Sequence, residues 1–410
     1  MVRPPVASSQ HSPRDSDVTK AAEEKEEGRE LIAPAPLAHD EPTAPIDPAA
    51  APPRKRLPRV ESLTGLRWWA AFFVFTHHMT NLAPLPIFQF LKFGTSGVTF
   101  FFVLSGFVLT WSAQPGTKVL TFYRRRFARI WPAHAVALLA AVFVFYRFHP
   151  DPTQSWVKPF DLGILLLSVF LLHGWSNDAT ILYSGNPASW TLSVEAFFYA
   201  YFPFVWRATQ RLKLAGGLIL CVSVVVIGAA YKLILFHNPH TVPILPQPVL
   251  HSVAFLFGIG LAIALRSGWR PWIPFPVAFG IFAVGIYTLY YSGVHAKTFP
   301  LATTMGLTQK EILTVLYGLM ILAVASRDMR GGRSLLRSKP LVALGQWSYS
   351  FYLVHATILY AIREFHGVAG PVGWSNLTWY AGVLALSIAA SAVLYKCVEH
   401  PLEKRLRGPR

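Results

Sequence analysis

Long apolar segments alternate with short polar or basic stretches along most of the chain. Eleven such segments are present, each 15 to 23 residues long. A helix needs about 20 residues to cross a bilayer, so the pattern predicts membrane-spanning helices. The segments cover residues 63–82, 94–112, 130–148, 161–175, 190–207, 214–236, 248–266, 273–292, 309–326, 341–362 and 377–397. The predicted fold is an all-α polytopic membrane helix bundle.

The positions of the basic residues predict how these segments are oriented. Clusters of Lys and Arg occur at residues 124–129, 207–213, 266–270, 327–339 and 404–410. Cytoplasmic loops carry an excess of such residues. All the clusters lie on one side only if the fourth segment, 161–175, does not cross. It is the shortest, and we predict a re-entrant or partly buried helix there. About ten crossings remain, with both termini in the cytoplasm.

Composition also predicts a disordered tail before the membrane helices. The chain has 410 residues, 53% of them hydrophobic and only 14% charged, with a formal net charge of +17. Residues 1–59 are rich in Pro, Ala and acidic residues, which predicts a disordered cytoplasmic tail. The membrane domain is expected at 60–406, followed by a short basic end at 407–410. The basic residues form short clusters at helix ends, which favours lipid headgroups or a polyanionic cosubstrate over nucleic acid.

Arg67 and His78 are the first candidate residues for chemistry. They lie eleven positions apart in an apolar stretch with no other formal charge. Eleven steps of a helix return to within about 20° of the starting face, about 16 Å further along the axis. Ionisable groups in membrane helices are costly and by default indicate function. The alternative is an arginine that reaches the interface and a histidine that bonds to a neighbouring helix.

A second candidate is the arginine cluster before the third predicted span. Arg124, Arg125, Arg126 and Arg129 fall within six positions. Arg129 shares a helical face with Arg125 or with Arg126. Planar guanidinium groups suit phosphate oxygens, so the cluster is typical of a phosphate-binding site. Anchoring to anionic lipid is the alternative.

The third candidate is the stretch SWTLSVEAFFY at residues 189–199. Its carboxylate, Glu195, lies well inside an apolar run and requires a partner. Glu195 is expected at a depth similar to that of His78, so a contact between the two side chains is geometrically possible. The alternative is an ion pair with an arginine of another helix. Candidate substrate-binding residues are Ser189, Trp190, Ser193, Tyr199 and, from a later helix, His355.

Other chemistry finds little support in the sequence. Cys221 and Cys397 lie far apart in apolar segments, and no metal-ligand spacing is present, so we expect no metal. The run FFFVLSGF at residues 100–107 is typical of helix packing. No nucleophile-elbow motif surrounds Ser105, and we do not expect a catalytic serine there.

Taken in order, these motifs resemble one family. They are LTGLR at 63–67 with His78, FFFVLSGF, RRRFARIWP at 124–132, SWTLSVEAFFY, YSFYLVH at 349–355 and VEHPL at 398–402. The set resembles the acyltransferase-3 family of integral membrane O-acyltransferases over residues 60–406. The sequence of residues 61–134 is similar to that of actinobacterial members, including those that acylate macrolides.

The resemblance implies that Arg67 and His78 are required for activity. It also implies that Arg125, Arg126 and Arg129 help to hold the acyl donor, and that Glu195 is important. Many members have two acidic residues in that stretch, whereas here Ala196 follows Glu195.

The predicted function is therefore membrane O-acyl transfer from acyl-CoA to a hydroxyl. His78 is the expected general base. Glu195 would orient the imidazole, and Arg67 would bind the donor or the developing oxyanion, although these two roles are interchangeable. The acceptor is a sugar or macrolide-like polyketide, or else a cell-surface glycan. The competing hypothesis is a proton-coupled transporter in the inner membrane, with His, Glu and Arg as the relay.

Overall fold

The computed structural model describes residues 57–58 and 60–408. Residues 1–56 and Arg59 of the predicted disordered tail, and Pro409 and Arg410 of the basic C-terminal end, lie outside the described residues. Eleven labelled helices correspond to the eleven apolar segments. They are α1 Ser62–Met79, α2 Gly97–Ser112, α3 Val119–Phe145, α4 Leu162–Val169, α5 Trp190–Thr209, α6 Leu214–His237, α7 Ser252–Arg266, α8 Phe275–Val294, α9 Gln309–Met329, α10 Lys339–His366 and α11 Leu377–Leu394.

Short helical turns connect these helices. They are Phe88–Leu91, Lys92–Ser96, His173–Trp175, Ala179–Leu182, Gln247–Leu250, Ala302–Leu307, Leu335–Arg337, Trp374–Asn376, the π-helix Tyr395–Glu399 and His400–Leu406. A parallel pair of two-residue strands, β1 Tyr146–Arg147 and β2 Lys158–Pro159, is the only sheet in the described part of the chain. The all-α class is therefore confirmed.

Seven helices in the described residues are long and apolar enough to cross a membrane. They are Phe88–Ser112, Val119–Phe145, Leu214–His237, Gln247–Arg266, Phe275–Val294, Gln309–Met329 and Trp374–Leu406. Several of them expose large apolar side chains around their circumference: α6, for example, exposes Ile219, Val222, Val226 and Ile227. Such surfaces suit contact with lipid. The protein is a multi-pass membrane protein.

The fourth helix is short, as the distribution of basic residues predicts. α4 has eight residues, about 12 Å of helix, which is too short to cross a bilayer. Asp161 caps it by accepting a hydrogen bond of 2.9 Å from the amide of Ile164. Arg125 near the start of α3 and Arg207 near the end of α5 line one cavity. The start of α3 and the end of α5 therefore lie at the same end of the bundle.

Close helix packing sets the position of α2 against α7. The Cβ that a side chain would add at Gly106 meets the backbone carbonyl of Phe255, and one at Gly258 meets that of Val103. Small residues allow membrane helices to approach closely. Gly106 follows Ser105, so this contact fixes the direction of the Ser105 side chain.

Candidate active site

A buried cavity of about 230 Å³, here called the inner cavity, lies among α1, α2, α3, α5 and α10. Five of the predicted site residues line it: Arg67, Arg126, Arg129, Glu195 and Tyr199. They come from three helices that are distant in sequence. The fold therefore brings the first, second and third candidate motifs together at one place.

Glu195 is held by two hydroxyl groups. Ser105 Oγ donates to Glu195 Oε1 across 2.8 Å, and the hydroxyl of Tyr199 donates to the same oxygen. Tyr199 lies one helical turn beyond Glu195 on α5, so the helix itself presents this donor. Both bonds end on Oε1, and within the described residues Oε2 has no protein donor. Ser105 is thus part of the site, whereas its sequence context indicated helix packing alone.

The predicted contact between Glu195 and His78 is not formed. His78 does not line the inner cavity. Its ring centroid lies 5.2 Å from that of His355 and 5.0 Å from that of His77. We call His78 and His355 the histidine pair. His78 Nδ1 and His355 Nε2 are both buried, and neither has a hydrogen-bond partner among the described residues.

Helix direction explains why the expected depth of Glu195 was wrong. Val74 of α1, Ala188 and Tyr352 of α10 form one small buried cluster. From that level, His78 lies four residues further along α1, toward its end. Thr191 bonds to Tyr352 and so lies at the same level, and Glu195 lies four residues further along α5. Because α5 runs in the opposite direction to α1, His78 and Glu195 are each displaced by about 6 Å from this level, in opposite directions. α5 starts inside the bundle rather than at its surface.

Arg129 is neutralised by two carboxylates. Its Nη1 lies 2.5 Å from Glu399 Oε1 and 3.0 Å from Glu403 Oε2. Ser350 donates to the second oxygen of Glu399 across 2.6 Å. Glu399 is 1% exposed and belongs to the π-helix Tyr395–Glu399. From the sequence, only Glu195 is expected well inside an apolar run. Glu399 was missed because it follows the last apolar segment, where a charged residue is expected at the membrane interface.

A second cavity, here called the basic vestibule, has a volume of about 870 Å³. Its charged lining residues are all cationic: Lys118, Arg125, Arg126, Arg207 and Arg407. Leu109 and Arg126 line both the basic vestibule and the inner cavity, so the two spaces adjoin at these side chains. Phe122 and Tyr199 flank the Arg126 guanidinium, each with its ring centroid 5.7 Å away.

The four arginines of the cluster lie at different places relative to the two cavities. Arg125 lines only the basic vestibule, Arg126 lines both cavities, and Arg129 lines the inner cavity. Of the two arginines that can share a helical face with Arg129, Arg126 also shares a cavity with it and Arg125 does not. Arg124 is exposed and donates to the carbonyl of Arg407 across 3.2 Å, outside the lining of both cavities.

Three predicted substrate-binding residues support the backbone instead. Ser189 is buried; its hydroxyl donates to the Asn186 carbonyl at 2.7 Å and lies 3.2 Å from His173 Nε2. Ser193 donates to the Leu171 carbonyl at 2.5 Å. Trp190 packs with its ring centroid 5.5 Å from that of His251. None of the three lines the inner cavity or the basic vestibule. Ser189 and Ser193 fasten the start of α5 to the segment after α4, and Trp190 packs against His251 just before α7.

Comparison with known proteins decides which family this site belongs to. The model of the acyltransferase-3 family, an acyltransferase domain, matches residues 60–396. The chain belongs to the acyltransferase-3 family. It is similar to acyltransferase MdmB of Streptomyces mycarofaciens, with 33% identity over 386 residues, 87% of this chain and 94% of MdmB.

Two more distant relatives are also similar to the chain. The peptidoglycan O-acetyltransferase OatA of Listeria monocytogenes is 24% identical over 378 residues, which cover 84% of this chain and 56% of OatA. Nodulation protein 10 of Rhizobium leguminosarum bv. viciae is 24% identical over 347 residues. No solved structure matches the chain. Family membership thus supports a membrane O-acyltransferase over the transporter hypothesis.

Proposed function

We propose that this protein transfers an acyl group from acyl-CoA to a hydroxyl of a sugar or of a macrolide-like polyketide. The observation that carries the proposal is the contact between the basic vestibule and the inner cavity at Arg126. A donor with an anionic nucleotide end and a long thin arm needs such a pair of spaces. A wide, positively charged entrance binds the phosphates, and a narrow buried cavity receives the arm.

The charges in the two cavities fit the two ends of this donor. Five basic side chains and no carboxylate line the basic vestibule. Guanidinium groups bind phosphate oxygens through paired hydrogen bonds. Arg125 and Arg126 lack a salt bridge in the described structure, in contrast to Arg129. We therefore assign donor phosphates to Arg125 and Arg126, and a structural role to Arg129.

In the proposed reaction, His78 removes the proton from the acceptor hydroxyl as that oxygen attacks the thioester carbonyl. The tetrahedral intermediate then expels the CoA thiolate and becomes the ester. The thiolate takes the proton from the His78 imidazolium and leaves as free CoA. The buried Nδ1 of His78 has no partner in the described chain and is consistent with a base that is not committed elsewhere. Positioned general bases contribute about 10²–10⁴-fold to such steps.

Arg67 and Glu195 act in the inner cavity in this proposal, because both line it and His78 does not. Arg67 has no salt bridge among the described residues and is available to the donor or to a developing oxyanion. Glu195, fixed by Ser105 and Tyr199, supplies a negative charge among Arg67, Arg126 and Arg129. It balances the cavity charge and orients the arginines.

We also propose ten crossings in the inner membrane, with both termini in the cytoplasm. Ten described helices have 15 or more residues, and α4 is the exception among the labelled eleven. Arg125, Arg207 and Arg407 belong to separate basic clusters, and they meet in the basic vestibule. Their meeting supports placing these clusters on one side, as the positive-inside rule requires.

The function is tested with the whole protein in sealed vesicles. Labelled acetyl-CoA is supplied on the vestibule side, with a panel of hydroxyl acceptors that includes macrolides, sugars and cell-surface glycans. We expect label in an ester of one acceptor class and release of an equal amount of free CoA. Absence of transfer to every acceptor, together with proton-coupled solute uptake in the absence of acyl-CoA, would instead support the transporter.

A further inference from the structure

The inner cavity ends at a thin apolar layer that separates it from the histidine pair. The layer is formed by Val74, Val98, Ala188 and Tyr352, which pack together. We propose that Tyr352 is a positioning residue that controls when the donor carbon can reach His78. The inference rests on the proposed function for its meaning in catalysis, but the barrier itself can be tested without an acyl donor.

Tyr352 faces both spaces. On one side it lines the inner cavity with Val98, Phe101 and Thr191. On the other side its ring centroid lies 5.8 Å from that of His355, which follows it by three residues on α10. The side chain is 8% exposed. The proposed route from the inner cavity to the histidine pair therefore passes this ring.

The structure holds Tyr352 in the closed position through contacts on two sides. A hydrogen bond of 3.1 Å joins its hydroxyl to that of Thr191 on α5. Thr191 is itself fixed, because its Oγ1 also donates to the Ala188 carbonyl at 2.9 Å. The ring of Phe101 packs edge-on with its centroid 6.2 Å from that of Tyr352. Breaking a single neutral hydrogen bond and turning one ring would open the layer.

A closed layer has a clear chemical use. If the thioester and His78 met before the acceptor arrived, water would take the acceptor's place. Water would add to the thioester carbonyl, His78 would take its proton, and the CoA thiolate would leave and recover the proton. The products would be a free carboxylic acid and CoA. Separation by Tyr352 protects the donor until the acceptor is in place.

The first test measures access to position 78 from each side. In a background with Cys221→Ala and Cys397→Ala, His78→Cys is treated with a membrane-impermeant maleimide in inside-out or right-side-out vesicles. We expect slow labelling from the vestibule side. Adding Thr191→Val, which removes one hydroxyl at nearly constant volume, should raise that rate about fivefold, as expected for one lost hydrogen bond. Tyr352→Ala should raise it further.

The matched control is Tyr317→Phe. Tyr317 is another buried tyrosine, joined to Ser96 Oγ across 2.7 Å, and it does not line the inner cavity. Loss of the Tyr317 hydroxyl should leave the labelling rate at position 78 unchanged. The inference is overturned if vestibule-side labelling is already fast with Tyr352 intact, or if Thr191→Val and Tyr352→Ala leave it at the level of Tyr317→Phe.

The second test uses the donor. Thr191→Val and Tyr352→Phe should each increase CoA release from acetyl-CoA without acceptor several-fold, and adding His78→Ala should abolish the increase. CoA release at the unaltered rate from a protein that still transfers acyl groups overturns the role of Tyr352. If no variant consumes acetyl-CoA with any acceptor, the proposed function fails, and the labelling result decides the barrier separately.

Discussion

Ser105 of α2 and Glu195 of α5 are joined by a hydrogen bond of 2.8 Å, although they lie 90 positions apart in the chain. The hydroxyl of Tyr199 donates to the same carboxylate oxygen. Two donors on one oxygen fix the rotation of the carboxylate. Glu195 lines the same cavity as Arg67 and Arg126.

Ser105→Ala should therefore lower acyl transfer about tenfold, the cost of one hydrogen bond to a charged group at the low end of its range. The fall should appear in kcat more than in KM for acyl-CoA. Tyr199→Phe should lower kcat by a similar factor. The fold-loss of the double variant should be smaller than the product of the two single fold-losses, because both hydroxyls donate to Glu195 Oε1. Ser267→Ala removes a bond to a backbone carbonyl far from the site and should be neutral. Strict additivity of the two losses would contradict this account.

The ion pair between Arg129 and Glu399 should stabilise the fold. The Glu399 side chain is fully buried, and Glu399→Gln leaves Arg129 with Glu403 alone. Breaking a buried pair costs about 3–5 kcal/mol, and partial exposure of Arg129 reduces this to about 2 kcal/mol. Thermal unfolding in detergent should show a melting temperature several degrees lower. Glu61→Gln breaks an exposed pair with Arg337 and should leave the melting temperature unchanged.

The basic vestibule should bind the donor through charge. Arg125→Gln and Arg126→Gln should each raise KM for acyl-CoA about tenfold, since a hydrogen bond to a charged group contributes about 1.5–3 kcal/mol. Added salt should weaken binding to the unaltered protein and narrow the difference from the variants. Arg333→Gln, which removes an exposed arginine from a different basic cluster, serves as the control. An equal rise in KM for Arg333→Gln would mean that general surface charge is responsible.

The contact of α2 with α7 should not tolerate an added methyl group at Gly106. An alanine Cβ there would overlap the carbonyl of Phe255 and force the helices apart. We expect Gly106→Ala to reduce both folded yield and activity, because Ser105 moves with the helix. Gly280→Ala on α8 is the matched control, since a Cβ there meets nothing within 4 Å. Similar yields for the two variants would show that the close approach is unimportant.

The sequence predicts the helices well because apolar length and charge act locally. All eleven apolar segments contain a labelled helix, and the segment that the Lys and Arg distribution singled out contains only the eight residues of α4. Charge is similarly local: Arg125 and Arg126, which are adjacent in the sequence, both line the basic vestibule. These properties need no knowledge of how the helices pack.

Three-dimensional contacts account for what the sequence did not show. The depth of Glu195 depends on where α5 begins, and that start is set by Ser189 and Ser193, which bond to backbone carbonyls within the bundle. The pairing of Arg129 with Glu399 depends on α3 meeting the π-helix near the end of the chain. The ion pair has no local signal, since partners 270 positions apart must first be placed by packing.

His78 and His77 provide the most direct test of the central claim. They are adjacent on α1, but only His78 lies on the helical face expected to share a stripe with Arg67. Transfer of labelled acetyl from acetyl-CoA is measured for the unaltered protein, His78→Ala and His77→Ala, at equal amounts of folded protein. We predict a loss of about 10²–10⁴-fold for His78→Ala and a change of only a few-fold for His77→Ala. Normal transfer by His78→Ala would contradict the account.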